Sequence, residues 1–273
     1  NVANLLLAHG AARSREFAVL QTQLNEAKTH CRFVLIGGVA GSGKTRLVEE
    51  LERLASARNT AVLRGTVAGA EEELPYAYFC RVIEEFLRSH GRARALLDDL
   101  ASDLVGTFPL LSEIAELKAL ATTPKAINDR NAIFDLLART WIRIAADGPL
   151  MIVLEDLHFA DVSIDALEYI VQRLASTGVL IIGIYCSDDI ARGHPLARLL
   201  ADRRVPFTHI DLVPFTRDEH RQLVEMQLDS NRIEPVVIER TYEATEGNAR
   251  FATELIRSLI ESGDLVLGSA GLW

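Results

Sequence analysis

The sequence predicts an α/β fold in which a five-stranded parallel sheet is sandwiched by helices and followed by a small helical domain. Five short apolar runs, residues 33–36, 61–64, 150–154, 179–185 and 207–212, have the continuous Val, Ile and Leu content of strands buried on both faces. Helical stretches lie between these runs, as crossovers between parallel strands require. The first run passes directly through a glycine-rich turn into a helix, the opening unit of a parallel sheet.

Taken in order, the run at 33–36 precedes the glycine-rich turn 38–45 and a helix over 44–57. After the second run, residues 71–146 show helical spacing at Val82 and Phe86, at Leu96, Leu97 and Leu100, and at Ile133, Leu136 and Leu137. Breaks at Pro75, Pro109 and Pro124 divide this stretch, which reads as a helical insertion. Beyond the third run, Asp161 and Ser163 are expected to cap a helix with Ile164, Leu167 and Ile170 on one face. Thr216, with Glu219 three residues later, makes a capping box that opens a helix with Leu223 and Val224 inward. A second helix runs over 249–261 and stops at Gly263, and residues 265–267 read as a strand. Pro214 marks the boundary between a sheet domain, 1–213, and a small helical domain, 214–262.

Composition excludes several classes. A net charge of −9 over 273 residues argues against direct contact with a nucleic-acid backbone, which draws affinity from clustered Lys and Arg. The 49% hydrophobic and 25% charged content is that of a soluble domain, and no segment approaches the roughly 18 consecutive apolar residues of a membrane span. Residues 1–7 lack the basic flank and cleavage site of a secretory signal, so a cytoplasmic protein is expected. Cys31, Cys80 and Cys186 are scattered and odd in number, the pattern of buried thiols. A chain that begins without Met and stops after an apparent strand is expected to be a piece of a larger polypeptide.

Chemistry enters at the turn. Gly38, Val39, Ala40, Gly41, Ser42, Gly43, Lys44 and Thr45 match G-x-x-x-x-G-K-[ST], between a strand and a helix. The loop is tight because its backbone N–H groups must approach phosphate oxygens with no Cβ in the way. Lys44 reaches the β and γ phosphates as a point charge, the helix start adds its dipole, and the Thr45 hydroxyl is placed for Mg²⁺. The following Arg46 completes the expected nucleotide-binding segment. ATP or ADP with Mg²⁺ is the expected ligand.

The run at 150–154 ends in Glu155 and Asp156. In a parallel sheet the ligand lies beyond the carboxyl ends of the strands, where these carboxylates emerge. Glu155 is assigned to the metal, and Asp156 to orienting or deprotonating the attacking water, with Lys44 assisting at the phosphates. The roles of Glu155 and Asp156 can be exchanged without conflict with the pattern. For His158 a structural hydrogen bond is the simpler reading.

Three segments carry a family likeness: Gly-x-x-Gly-Ser-Gly-Lys-Thr-Arg, Leu-Glu-Asp-Leu-His-Phe-Ala-Asp at 154–161, and Glu-Gly-Asn-Ala-Arg-Phe at 246–251. Together they resemble the P-loop NTPase modules of the AAA-related signal-transduction ATPases with numerous domains, as found in large LuxR-type transcriptional regulators and in multidomain adenylyl cyclases and kinases. Arg15-Glu16 resembles that family's opening motif, and residues 188–200 its stretch after the fourth strand. The resemblance implies that residues 214–262 are a helical lid domain over the nucleotide and that residues 263–273 begin a winged helix. It also implies a slow ATPase acting as a nucleotide-dependent switch on an output domain, and it is compatible with nucleotide-dependent homo-oligomers. Two positions depart from the pattern. Cys186 stands where relatives sense the γ-phosphate with arginine, and Gly247-Asn248-Ala249 stands in place of Gly-x-Pro. Arg192 and Arg250 are the candidate substitutes. The competing readings are a nucleotide-holding interaction platform without hydrolysis and a small-molecule kinase, for which the sequence offers no acceptor site.

Overall fold

Strands β1 (Arg32–Gly38), β2 (Ala61–Gly65), β3 (Leu150–Leu154), β4 (Val179–Ile184) and β5 (Thr208–Leu212) form one sheet in the order β2-β3-β4-β1-β5. The computed structural model describes residues 13–67, 74–89, 93–160, 162–202, 204–269 and 271–273. The ladders are parallel: Arg32 faces Leu180, Leu150 faces Val179, and Ala61 faces Leu150. Every residue of β3 and β4 is buried, which is why these strands read as unbroken apolar runs. On the edge, β5 instead alternates, with His209 and Asp211 exposed and Ile210 and Leu212 buried. β1 runs two residues further than its apolar core predicts, through Gly37 and Gly38. β4 stops one residue early, although the Tyr185 N–H still donates to Ile36 O at 3.0 Å.

The chain divides into two compact units. One comprises Thr22–Ile36 and Leu54–His209 and carries the apolar core beneath the sheet. Helix α1 (Ser14–Glu26) ends in it, and so does α2 (Lys44–Ala57). The expected insertion is a run of helices, α3 (Ala77–Ser89), α4 (Ala93–Leu97), α5 (Ala101–Thr107), α6 (Pro109–Ser112), α7 (Ala115–Leu120) and α8 (Arg130–Ala145). Phe79 of α3 meets Trp141 of α8 edge-on at 5.4 Å, and Asp129 caps α8 by accepting from Ala132 N. Pro109 takes the first position of α6, where its missing N–H costs nothing. The unit ends with α9 (Ser163–Arg173) and α10 (Pro195–Asp202).

Ser163 does not cap α9. It is the first helical residue and is buried, and Val162 occupies the cap position without a side-chain bond. Asp161 lies outside the described residues. Cys80 and Cys186 are buried and Cys31 is half-buried, and burial pushes the Cys31 thiol up to about 12.

The other unit comprises Asn1–Gln21, Gly37–Arg53 and Ile210–Trp273. It holds α11 (Arg217–Gln227), α12 (Pro235–Thr245) and α13 (Ala249–Ser262). The Thr216–Glu219 capping box opens α11, Asn248 caps α13, and Gly263 ends α13 in the left-handed region at φ 80°. Phe215, Leu223, Ala249 and Ala252 pack together, as do Val224, Leu228, Ile238, Ile256 and Leu265. Residues 265–267 form no strand. Leu265 is buried against that second cluster while Val266 and Leu267 face solvent, so a single anchored side chain accounts for the segment.

Candidate functional site

The phosphate loop sits where β1 hands over to α2. Lys44 opens α2, and its Nζ donates to Gly38 O at 2.7 Å and Val39 O at 2.8 Å. The ammonium thus folds back over the loop that bears it. Ser42 N donates to Val39 O at 3.2 Å and closes the turn, while the Ser42 side chain is buried. Thr45 and Ala40 are exposed, and Arg46 is half-buried at the start of the helix. Gly38, Val39, Gly41 and Gly43 complete the loop, all within the same unit as Lys44 and Thr45.

Two further features of that unit bear on the loop. The carbonyls of Ala40 and Gly41 accept hydrogen bonds from the first turn of α13: Asn248 Nδ2 to Ala40 O at 2.9 Å, and Arg250 N to Gly41 O at 3.0 Å. Of the opening motif, Arg15 is exposed, whereas Arg13 is only 2% accessible. The Arg13 guanidinium donates to Val213 O at 2.5 Å, lies 4.3 Å from the centroid of the Phe215 ring, and pairs with Glu16. It also approaches the loop carbonyl of Ser42 at 3.5 Å. Burial lowers the Arg13 pKa, and Glu16 and Glu219 oppose that shift. Gly247 takes φ 75°, and its carbonyl accepts from Phe215 N at 2.8 Å, so a side chain there would strike Phe215 O.

The acidic strand end belongs to the other unit. Glu155 Oε1 takes a 2.5 Å contact from Arg64 Nη1, and Oε2 accepts from Thr66 Oγ1 at 3.0 Å. Asp156 has left-handed backbone at φ 52°; its carbonyl accepts from Tyr78 Oη at 2.9 Å and its side chain is exposed. His158 is buried, and its Nδ1 accepts from Cys186 N at 3.3 Å, joining the ends of β3 and β4 in the structural role expected. Nε2 is then the protonated nitrogen, 3.7 Å from Asp189 Oδ2. Arg192 is exposed, and the Arg250 side chain is turned to Glu254 at 2.8 Å. Among the described residues, no three His, Cys, Asp or Glu side chains gather as a metal cluster, and no helix is long and apolar enough to cross a membrane. The exposed Thr45 hydroxyl is an oxygen donor of the kind Mg²⁺ accepts, an ion that keeps water and phosphate oxygens as most of its ligands.

Known proteins place this fold. A Walker-type ATPase of Pyrococcus abyssi superposes with a TM-score of 0.54 at 13% identity, over 92% of this chain and 68% of that one. A DNA replication initiation factor gives 0.51 at 13% identity, over 93% and 62%, and AMPPCP-bound DnaA from Aquifex aeolicus gives 0.51 at 15%, over 90% and 61%. The chain thus spans less than two thirds of the length of the latter two. At such identities the likeness concerns fold alone, and the fold is that of the P-loop nucleotide triphosphatases. No curated protein matches the chain. The family described as AAA ATPase domain matches residues 11–182, well over half of the sequence. The chain therefore belongs to the AAA ATPase domain family.

Proposed function

We propose that the chain is a signalling ATPase module that binds ATP or ADP with Mg²⁺ and passes its nucleotide state to an output domain, as in LuxR-type transcriptional regulators. The observation that carries this reading is the phosphate loop at the start of α2 with its Ala40 and Gly41 carbonyls taken by α13. A ligand on the loop acts on the lid helices through those bonds, and differential affinity for two lid arrangements is what a switch needs. Gly38 to Arg46 bind the phosphates, Thr45 and Glu155 hold the metal, and Asp156 orients the water, with Lys44 supporting the transferred phosphoryl group. Residues 1–213 act as the ATPase domain, 214–262 as the lid and 263–273 as the lead into a winged helix.

A second reading, a nucleotide-holding platform without turnover, is favoured by Cys186 at the position where relatives sense the γ-phosphate. The engagement of both Glu155 oxygens by Arg64 and Thr66 points the same way. Calorimetric titration of ATP and ADP with Mg²⁺, followed by a turnover assay, separates the two. Binding with slow turnover, abolished in a folded Lys44→Ala variant, supports the switch. Binding without turnover at any protein concentration supports the platform, and absence of binding overturns both.

A further inference from the structure

A helix cap needs only an acceptor, and Asp, Ser or Asn serves about equally well. At the start of α13, Asn248 Oδ1 fills that role by accepting from Arg250 N at 3.1 Å and Phe251 N at 3.2 Å. The other half of the same amide does something a carboxylate could not: Nδ2 donates to Ala40 O in the phosphate loop at 2.9 Å. Arg250 N, shared with the cap, donates to the next carbonyl, Gly41 O, at 3.0 Å. Two successive peptide groups of the loop are therefore held from the first turn of α13.

Gly41 supplies an independent sign of this approach. It occupies an x position of G-x-x-x-x-G-K-[ST], where the pattern asks for no glycine. Its φ is 78°, and a Cβ there would lie 2.6 Å from Asn248 Oδ1 and 3.0 Å from Arg250 Cβ. The close seating of α13 explains this glycine. Peptide geometry gives the consequence. The C=O and N–H of a trans peptide point in opposite directions, and no described peptide is cis. Fixing Ala40 O on Asn248 therefore turns the Gly41 N–H away from α13.

We propose that Asn248 is a positioning residue of the nucleotide site. By holding Ala40 O it presets the phosphate loop for a nucleotide polyphosphate, and binding of that polyphosphate in turn tightens α13 on the loop. The inference rests on the nucleotide reading above. Reciprocity is obligatory, because whatever docked α13 adds to phosphate affinity, bound phosphate adds to the docking of α13.

Asn248→Ser tests it, since serine retains a neutral cap acceptor and lacks the amide donor. The expected result is ADP-Mg²⁺ affinity about fivefold weaker, the worth of about one hydrogen bond at a partly exposed site, with a melting temperature lowered by no more than a few degrees. Hydrogen exchange on the unaltered protein is the companion measurement. ADP should slow exchange of the Arg250 amide about tenfold or more, and Asn248→Ser should abolish that protection. Wild-type ADP affinity in Asn248→Ser overturns the inference and leaves the nucleotide reading standing. Arg250 exchange indifferent to ADP in the unaltered protein does the same whether or not the variant folds. An unaltered protein that binds no nucleotide sinks both.

Discussion

Arg64 and Glu155, on neighbouring strand ends, face each other with Arg64 Nη1 2.5 Å from Glu155 Oε1. The β2–β3 register sets the pair up by placing Gly65 opposite Leu154, so the residues on either side emerge together at the carboxyl edge. A metal recruited to Glu155 must first displace this guanidinium. Arg64→Met is therefore expected to lower the Mg²⁺ concentration for half-maximal ATP binding by about fivefold, while changing stability by less than about 1 kcal/mol, since the pair is partly solvated. Titrating Mg²⁺ at fixed ATP checks it, and an unchanged midpoint removes Glu155 from the metal.

The roles proposed for Glu155 and Asp156 are separable. Asp156→Asn should keep ATP and Mg²⁺ affinity and cut turnover by about a hundredfold or more, the usual worth of a positioned base. Glu155→Gln should raise the Mg²⁺ requirement. If Glu155→Gln stops turnover with metal binding intact, the roles are the reverse.

Arg13 presents a different balance. Its guanidinium is buried against the Phe215 ring and bonded to Val213 O. Arg13→Ala should destabilise the protein by about 2–4 kcal/mol through the lost charged hydrogen bond and ring contact. Arg13→Lys should recover less than half of that, because an ammonium lacks the planar stacking surface and the forked donors of the guanidinium. Urea titration of the three proteins reads both numbers. An exposed-residue effect, below about 0.5 kcal/mol for Arg13→Ala, would contradict the assignment.

His220 should make stability depend on pH. It is fully buried in the helical unit, Nε2 meets Thr241 Oγ1 at 2.9 Å, and Tyr242 packs edge-on against the ring. Burial lowers its pKa from 6.5 to about 4. The fold therefore favours the neutral ring, and between these values the unfolded chain binds the extra proton. Stability from this group is complete above pH 6.5 and is lost as pH falls towards 4, by as much as about 3 kcal/mol. Denaturant melts from pH 7 to 4 should show the decline, and His220→Leu should flatten it.

Legibility in the sequence followed the physics of each signal. β3 was readable to the residue, because five apolar positions are bounded by Gly148-Pro149 on one side and two carboxylates on the other. Leu265–Val266–Leu267 imitated a strand, but three apolar residues carry no ladder, and only Leu265 found a core. In the segment that opens the family likeness, Arg15 is exposed and Arg13 is the buried arginine. Buried positions 13, 20, 24 and 27 recur at helical spacing, a stripe that includes Arg13 and leaves Arg15 outside. Had the arginine been read against Leu20 and Leu24, it would have fallen on the inner face. The Asn248–Ala40 bond spans 208 positions, beyond the reach of any local pattern. The turn between β1 and α2 was placed correctly because the G-x-x-x-x-G-K-[ST] pattern fixes residue types at fixed offsets between a strand and a helix.

β1, which delivers the phosphate loop, pairs Arg32 with Leu180. On the ribosome these partners emerge far apart in time, because at about 5–20 residues per second the strand waits roughly 7–30 s for its neighbour. Throughout that interval, Phe33 to Ile36 and the loop behind them have no ladder from β4 to hold them. The turn that follows β1 is thus made well before the strand that pairs with it, so a chain interrupted before β4 carries every residue of the loop and none of the β4 pairing that orders β1.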